Sequence, residues 1–221
     1  MNAVIILTST INVNPNLAWV YQTNKNDRID IYLKAILQWL HNTNFNIILV
    51  ENSGYKFEEL AEELNLYKHR FEIISFKENE ITDAQYLINN ISKGESELFS
   101  INYAFDNSCI IQQCKPNFII KITARYYIHD LEEYLNNYDL NNYDCLTQNC
   151  RDRCEMVGSH YNNFKHIFNV NVDNNRIPGR GLHIENVYTW RTNIYNNNLH
   201  CQCFEIEPTQ RGGVNECYID V

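Results

Sequence analysis

The most constraining feature of the sequence is a series of short apolar runs that alternate with segments of helical periodicity. Continuous apolar runs are typical of strands that helices cover on both faces of a parallel sheet. The predicted strands are residues 3–7, 45–50, 71–76, 118–123, 143–147 and 199–206. The predicted helices are residues 27–42, 56–64, 92–105, 130–138 and 185–195, the third capped by Ser92. This order predicts an α/β fold with a mostly parallel central sheet flanked by helices.

The chain is long enough for one sizeable domain, and no repeat or low-complexity linker divides its 221 residues. We therefore expect a single domain over residues 1–221. No stretch approaches the ~20 apolar residues that a membrane helix needs. Residues 3–7 are too short for the core of a signal peptide, and no basic residue precedes them. We expect no membrane span and a cytoplasmic location.

Charge and cysteine content limit the classes of partner. The net charge of −9 argues against a general affinity for nucleic acid or anionic membranes, so any anion site must be local. Of the eight cysteines, Cys150 with Cys154 and Cys201 with Cys203 have a spacing that a four-thiolate zinc site could use. The favoured interpretation is scattered, reduced thiols in a cytosolic protein.

Polar side chains follow three of the predicted strands at their carboxyl ends. These segments are Thr8-Ser9-Thr10, Glu51-Asn52-Ser53, and Lys121 to Tyr126, which includes Thr123 and Arg125. In open α/β sheets, ligands bind outside the carboxyl ends of the strands, although strand ends are commonly polar in any case. Lys121 interrupts an apolar run and Arg125 follows it, which favours an anionic ligand, with phosphate as the first candidate.

Several common nucleotide and hydrolase signatures are absent from the sequence. A dinucleotide fold carries Gly-x-Gly-x-x-Gly after its first strand, and a P-loop carries Gly-Lys followed by Ser or Thr. The segment after the first strand here, residues 8–13, contains no glycine. No Gly-x-Ser-x-Gly elbow of the serine hydrolases occurs either. These classes, and nucleotidyltransferases with a glycine-rich first loop, are disfavoured.

Five short motifs occur in a fixed order along residues 3–127. They are Thr8-Ser9-Thr10, Arg28 with Tyr32, Glu51 to Gly54, Lys93-Gly94 with Glu97, and Lys121 with Arg125-Tyr126. In this order the chain resembles a small viral or bacterial group of GT-A-like glycosyltransferases. The resemblance implies a nucleotide-binding half at residues 1–127 and an acceptor half at residues 128–221. It also implies a location in the host cytoplasm if the source is a virus.

The resemblance further implies a reaction and its substrates. A sugar would pass from a nucleotide-diphosphate donor, a UDP- or GDP-sugar, to a hydroxyl acceptor on a glycan. The first two strand ends would hold the base and ribose. Lys93, at a helix start, would face the sugar or the phosphates. Its alternative is an exposed ion pair with Glu97, worth only ~0.3–0.5 kcal/mol, and the alternative for Arg28 is a solvated helix face.

The chain departs from the GT-A pattern at the metal site. Such enzymes usually carry Asp-x-Asp after the fourth strand, where it holds a divalent metal on the diphosphate. This chain has Lys121 to Tyr126 there. Lys121 and Arg125 would then neutralise the leaving diphosphate in place of the metal, which predicts a metal-independent transferase. A Mn or Mg ion remains open, with His200 and Asp144 as possible ligands.

An inverting transfer needs a carboxylate that takes the proton of the acceptor hydroxyl. The resemblance points to Glu185, which follows the loop Pro178 to Gly181 and begins a helix, with Asp130 as a weaker candidate. The alternative for Glu185 is an ordinary first-turn glutamate that the helix dipole favours.

Arg211 would close over the diphosphate, and a solvent-exposed tail is the alternative for it. The alternative function for the whole chain is a non-catalytic nucleotide- or glycan-binding module, derived from a degenerate transferase.

Overall fold

The computed structural model describes residues 2–14, 20–88, 93–149, 153–172 and 183–221. A seven-stranded sheet, in the order β3-β2-β1-β4-β6-β5-β7, and a separate β8-β9 hairpin occur in these ranges. The strands are β1 Ala3–Ser9, β2 Asn46–Glu51, β3 Phe71–Ser75, β4 Phe118–Thr123, β5 Cys145–Thr147, β6 Met156–His160, β7 Asn198–His200, β8 Glu205–Gln210 and β9 Cys217–Asp220. The α-helices are α1 Lys25–Asn42, α2 Ala61–Leu66, α3 Lys93–Asn107, α4 Cys109–Cys114, α5 Leu131–Asn136, α6 Phe164–Ile167 and α7 Ile184–Asn193.

The expected mostly parallel α/β sheet is confirmed. The pairs β1–β2, β2–β3, β1–β4 and β5–β7 are parallel, and β6 lies antiparallel between β4 and β5. The sequence analysis missed β6, since Met156-Val-Gly-Ser-His160 is short and contains glycine and serine. It also missed β9 and the short helices α4 and α6. The strand predicted at 199–206 is wrong as one element, because its two ends belong to β7 and β8 in different sheets.

Two apolar layers enclose the sheet, because successive strand residues point to opposite faces. Ile5 and Leu7 of β1 contribute to one core cluster together with Trp39 of α1. Val4 and Ile6 contribute to the other, with residues of α3, α6 and α7. The Nε1 of Trp39 donates to the carbonyl of Tyr126 at 2.9 Å, which fixes α1 against the carboxyl end of β4.

The strand register determines where the polar strand ends meet. Thr8 of β1 pairs with Val50 of β2 and with Thr123 of β4, so these three strands end at the same sheet edge. The predicted meeting of the first, second and fourth strand ends is therefore correct. The predicted cap Ser92 and the loop Pro178 to Gly181 lie outside the described residues. No helix within the described ranges has both the length and the apolar character needed to cross a membrane.

Candidate functional site

A cleft of about 920 Å³ opens at the carboxyl ends of β1, β2 and β4. The first turns of α3 and α7 and the turn between β8 and β9 complete its walls. The predicted site residues that line it are Thr8, Ser9, Thr10, Arg28, Asn52, Ser53, Lys93, Thr123, Arg125, Tyr126, Glu185 and Arg211. The fold thus brings together in one cleft residues from distant parts of the sequence. Of the residues predicted to bind the donor, Glu51 and Lys121 are not part of the lining.

The prediction that Lys121 contacts a donor diphosphate needs correction. Its side chain is fully buried beneath the cleft. Its Nζ lies 2.6 Å from Oε1 of Glu97 and donates to the carbonyl of Cys154 at 2.7 Å. Burial alone would lower the pKa of Lys121, but the Glu97 carboxylate outweighs burial and raises it. Lys121 therefore holds Glu97 in place and does not reach a ligand.

We expect Glu97→Gln to lower the free energy of unfolding by about 3–5 kcal/mol, because Lys121 would be left buried without a carboxylate. Adding Lys121→Met should restore most of the loss. The folded-state pKa of Lys121 is raised, so this stabilisation is present at neutral pH and disappears as the pH rises through that value. Urea unfolding at neutral and alkaline pH measures both effects, and wild-type stability for Glu97→Gln at neutral pH would contradict the ion pair.

Glu51 also has a structural role in place of the predicted ligand contact. Its carboxylate is fully buried and accepts hydrogen bonds from the backbone N–H groups of Ile11, Ser53 and Tyr55, at 2.8, 3.0 and 2.7 Å. Burial raises the pKa of Glu51, against the hydrogen bonds, which lower it. The carboxylate thus joins the loop after β1 to the loop after β2 and has no free face toward the cleft.

Two buried arginines lie side by side in the lining of the cleft. Arg28 and Arg125 are only 5% and 7% exposed, so the solvated helix face considered for Arg28 is wrong. Arg28 donates to the carbonyls of Thr10 and Gln22. Arg125 donates to Oε1 of Gln22 at 3.0 Å and to the carbonyl of Gln210 at 3.2 Å. Each also donates one N–H to the hydroxyl of Tyr32.

The hydrogen-bond acceptors of these two guanidinium groups among the described residues are all neutral. Among the residues that the structure describes, no carboxylate lies within ion-pair distance of either. Burial lowers the pKa of Arg28, and the charge of Arg125 lowers it further. A buried charge without a counter-ion is costly. Because Arg28 and Arg125 also line the cleft, an anion bound there could compensate their charge.

Lys93 and Glu185 enter the cleft on the first turns of α3 and α7. A Cβ on Gly94 would lie 2.5 Å from Cβ of Ile184, so only glycine allows the two helix starts to approach this closely. Burial in the cleft lowers the pKa of Lys93, as do the charges of Arg125 and Arg211, whereas Glu185 raises it. The packing thus places one carboxylate among several cations.

The turn between β8 and β9 covers Arg125. The carbonyl of Gly212 accepts the N–H of Tyr21 at 2.8 Å, and a Cβ on Gly212 would lie 2.7 Å from a guanidinium nitrogen of Arg125. Arg211 pairs with Glu216 at 3.1 Å and lies 4.3 Å from the ring centroid of Tyr218. The exposed tail considered for Arg211 is therefore wrong, since the residue belongs to a packed hairpin.

Hydroxyl and amide groups form a polar wall of the cleft, which adjoins Arg28 at the carbonyl of Thr10. Oγ1 of Thr10 donates to Oδ1 of Asn52 at 2.6 Å, and Nδ2 of Asn52 donates to Ser96 at 2.9 Å and Glu78 at 3.2 Å. Oγ1 of Thr8 donates to Glu97 at 2.9 Å. This wall is held in a fixed orientation by its own hydrogen bonds.

The side chains in the described part of the chain do not form a set of ligands for a divalent metal. No group of three His, Cys, Asp or Glu side chains there is arranged to hold one. At the end of β4, where an acidic pair would be expected in this fold, the cleft presents Thr123 and Arg125. Of the four cysteines considered for a zinc site, Cys150 lies outside the described residues. His200, Asp144 and Asp130 are not part of the cleft lining.

Three residues that organise the site were given no role from the sequence. Tyr32 was paired with Arg28 in a motif, and their spacing places both on one face of α1, but the contact of Tyr32 with Arg125 was not predicted. Glu97 was considered only as a partner of Lys93. Gln22 lies in a polar loop, where no sequence pattern distinguishes it from its neighbours.

No protein-family model matches the sequence, and no curated protein matches it significantly. The glycosyltransferase GlyE of Streptococcus pneumoniae matches in structure with a TM-score of 0.52 and 8% identity, over 90% of this chain and 45% of that chain. A protein from Desulfovibrio desulfuricans that is named as a nucleotide-diphospho-sugar transferase matches with a TM-score of 0.48 and 14% identity, over 90% of this chain and 79% of that chain. A cytidylyltransferase from Leptospira borgpetersenii matches with a TM-score of 0.48 and 12% identity, over 91% of this chain and 76% of that chain.

The likeness to GlyE shows a shared fold, and at such low identity it shows the fold alone. This chain spans less than half the length of GlyE. The GT-A-like fold that the order of motifs implied is thereby confirmed.

Proposed function

We propose that this protein is a glycosyltransferase that binds a nucleotide-diphosphate sugar in the cleft and transfers the sugar to a hydroxyl acceptor. The observation that carries the proposal is the pair of buried guanidinium groups, Arg28 and Arg125, with no carboxylate partner among the described residues. They lie at the sheet edge where open α/β folds bind ligands. GlyE, which shares the fold, is a glycosyltransferase.

The diphosphate is the part of the donor that these cations recognise. Arginine presents several N–H donors in a plane and matches phosphate oxygens better than lysine does. Lys93 and Arg211 add positive charge to the same cleft. The cleft also contains glutamates, but Lys93 interacts with all three of Arg28, Arg125 and Arg211, so these four cations lie together. We assign the diphosphate to the part of the cleft at Arg28 and Arg125.

The base and ribose of the donor occupy the polar wall of Thr8, Thr10 and Asn52 in this proposal, with Ser9 and Ser53 beside it. The hydroxyls of Thr8 and Ser9 already donate their protons to Glu97 and to the carbonyl of Val50. They can therefore only accept hydrogen bonds from a ligand. Ribose hydroxyls and base N–H groups are donors of the required kind, whereas phosphate oxygens are not.

We assign the proton-accepting role to Glu185. Its carboxylate makes no hydrogen bond with the described residues, and it lines the cleft beside Lys93. In an inverting step, the acceptor oxygen forms a bond to the anomeric carbon, the bond from that carbon to the diphosphate oxygen breaks, and Glu185 takes the hydroxyl proton. The diphosphate leaves with the bonding electron pair, and Arg28 and Arg125 stabilise its charge.

The proposal includes donor binding without a divalent metal. The guanidinium groups already supply positive charge where a metal would otherwise neutralise the diphosphate, and the described residues offer no set of metal ligands. Donor binding should therefore be the same in a chelator as in manganese. The acceptor is a hydroxyl compound, for which we propose a glycan.

A panel of UDP- and GDP-sugars, measured by thermal shift and calorimetry in manganese and in a chelator, tests the proposal. A donor at about a hundred times its Kd should stabilise the protein by about 2.7 kcal/mol. At this chain length that corresponds to roughly 5–10 °C in Tm. The absence of a shift with every donor would reject the proposal. A shift that needs manganese would retain donor binding and reject metal independence.

A further inference from the structure

Tyr32 is a buried residue whose hydroxyl contacts both arginines of the cleft. Its side chain is 3% exposed, and its hydroxyl accepts one hydrogen bond from Arg125 at 3.0 Å and one from Arg28 at 3.1 Å. Both guanidinium carbons also lie near its ring, at 5.3 and 5.5 Å from the centroid. One buried oxygen therefore joins the two arginines.

Two guanidinium groups side by side repel each other and would separate without a shared acceptor. The other shared contact is Gln22, whose carbonyl binds Arg28 and whose side-chain oxygen binds Arg125. Tyr32 differs from Gln22 because the ring is held by the rigid helix α1 and lies within the apolar core. The orientation of both arginines is thus fixed from the core side, which leaves their remaining N–H groups for a ligand.

We propose that Tyr32 is a positioning residue, whose hydroxyl holds Arg28 and Arg125 side by side as one receptor for a diphosphate group. The inference deepens the proposed function and rests on it for the identity of the natural ligand. Tyr32 itself does not contact the diphosphate; it acts through the two guanidinium groups.

The charge of the Tyr32 oxygen then couples diphosphate binding to pH. Burial alone would raise the pKa of Tyr32, but Arg125 and Arg28 outweigh burial and lower it. When Tyr32 is deprotonated, the negative charge of its phenolate offsets part of the positive charge of Arg28 and Arg125. A bound diphosphate, which is also negative, in turn opposes the deprotonation of Tyr32. Diphosphate binding therefore takes up a proton at alkaline pH, so affinity falls as the pH rises through the pKa of Tyr32, by up to about tenfold per pH unit.

Other charged groups around Tyr32 set the background for this effect. Arg28 faces it from α1 and Arg125 from the segment after β4, while Glu51 of β2 acts on Arg28. Lys93 of α3 interacts with both arginines and has a lowered pKa, so its deprotonation also weakens anion binding at alkaline pH. The contributions of Tyr32 and Lys93 have the same sign and need separate variants.

Calorimetry with inorganic pyrophosphate across neutral to alkaline pH tests the inference in wild type, Tyr32→Phe and Lys93→Gln. At neutral pH, we expect Tyr32→Phe to bind about ten- to a hundredfold more weakly, since hydrogen bonds that orient both charged donors are lost. Its residual pH dependence should come from Lys93 alone, and Lys93→Gln should keep the part due to Tyr32. Tyr127→Phe, which removes a hydroxyl outside the cleft lining, is the matched control.

The ionisation of Tyr32 can be followed without any ligand. Tyrosinate absorbance should show one early step in the wild type that Tyr32→Phe lacks, because burial raises the pKa of other tyrosines such as Tyr126 and Tyr188. Equal pyrophosphate affinity in wild type and Tyr32→Phe at every pH would overturn the inference and leave the proposed function intact. A flat wild-type affinity profile would also overturn it. Tyr32-dependent binding of pyrophosphate without binding of any nucleotide sugar would support the inference and reject the proposed function.

Discussion

Replacing Arg125 with methionine will weaken the binding of a nucleotide diphosphate by about a hundred- to a thousandfold. Removal of one partner from a buried, hydrogen-bonded charge pair typically costs 2–5 kcal/mol or more. Arg125 reaches Gln22, Tyr32 and the carbonyl of Gln210 from the end of β4. Calorimetry with UDP and GDP measures the loss directly.

Arg125→Met should have little effect on the stability of the ligand-free protein, whereas replacement of an ordinary structural arginine lowers stability. Methionine keeps the apolar stem and removes a buried charge that has no carboxylate partner among the described residues, so the free energy of unfolding should change by no more than about 1 kcal/mol. A large loss of stability together with wild-type affinity for nucleotide diphosphates would show that Arg125 serves only to hold the β8–β9 hairpin in place.

Arg70→Met is the matched control. Arg70 also donates to backbone carbonyls, those of Phe45 and Leu40, and lies over the ring of Tyr67 at 4.6 Å. It is not part of the cleft lining. We expect the control to lose stability and to bind nucleotide diphosphates as the wild type does. The contrast separates the loss of an anion receptor from the loss of arginine packing.

The second large effect is expected at Glu185, where glutamine should lower turnover by about 10²–10⁴-fold and leave donor affinity nearly unchanged. General base catalysis contributes on this scale, and glutamine keeps the size of the side chain while it cannot accept the proton. Transfer rates under saturating donor, together with donor Kd from calorimetry, separate the two quantities. Equal rates for wild type and Glu185→Gln would remove Glu185 from the mechanism.

Glu133→Gln controls for the position of Glu185 in a helix. Glu133 also lies in the first turn of a helix, α5, and is not part of the cleft lining. If Glu185 served only the helix dipole, both variants would lose a few tenths of a kcal/mol in stability and neither would lose activity. Donor binding by the wild type without any transfer or hydrolysis would instead favour the non-catalytic binding module.

The order of the helices and strands could be predicted from the sequence where a strand is a continuous apolar run or a helix has apolar residues at helical spacing. Strand β4 was predicted with its observed bounds, and α1 and α3 nearly so. Short elements were missed because their burial depends on what covers them. In β6, Gly158 and Ser159 are buried between β4 and β5, which no local pattern in the chain signals.

The sequence alone determined which chemical groups meet at the site, because parallel strands place their carboxyl ends at one edge whatever their side chains are. Thr8, Asn52 and Arg125 therefore met in the cleft as expected. Only the tertiary structure decided which charges line the cleft. Lys121 and Arg125 are four residues apart and carry the same charge, yet Lys121 points below the cleft to Glu97. Arg125 lines the cleft, and its partners in the described part of the chain are neutral. Whether a charge is compensated depends on partners distant in sequence, such as Glu97 on α3, and that is a property of packing that no local pattern encodes.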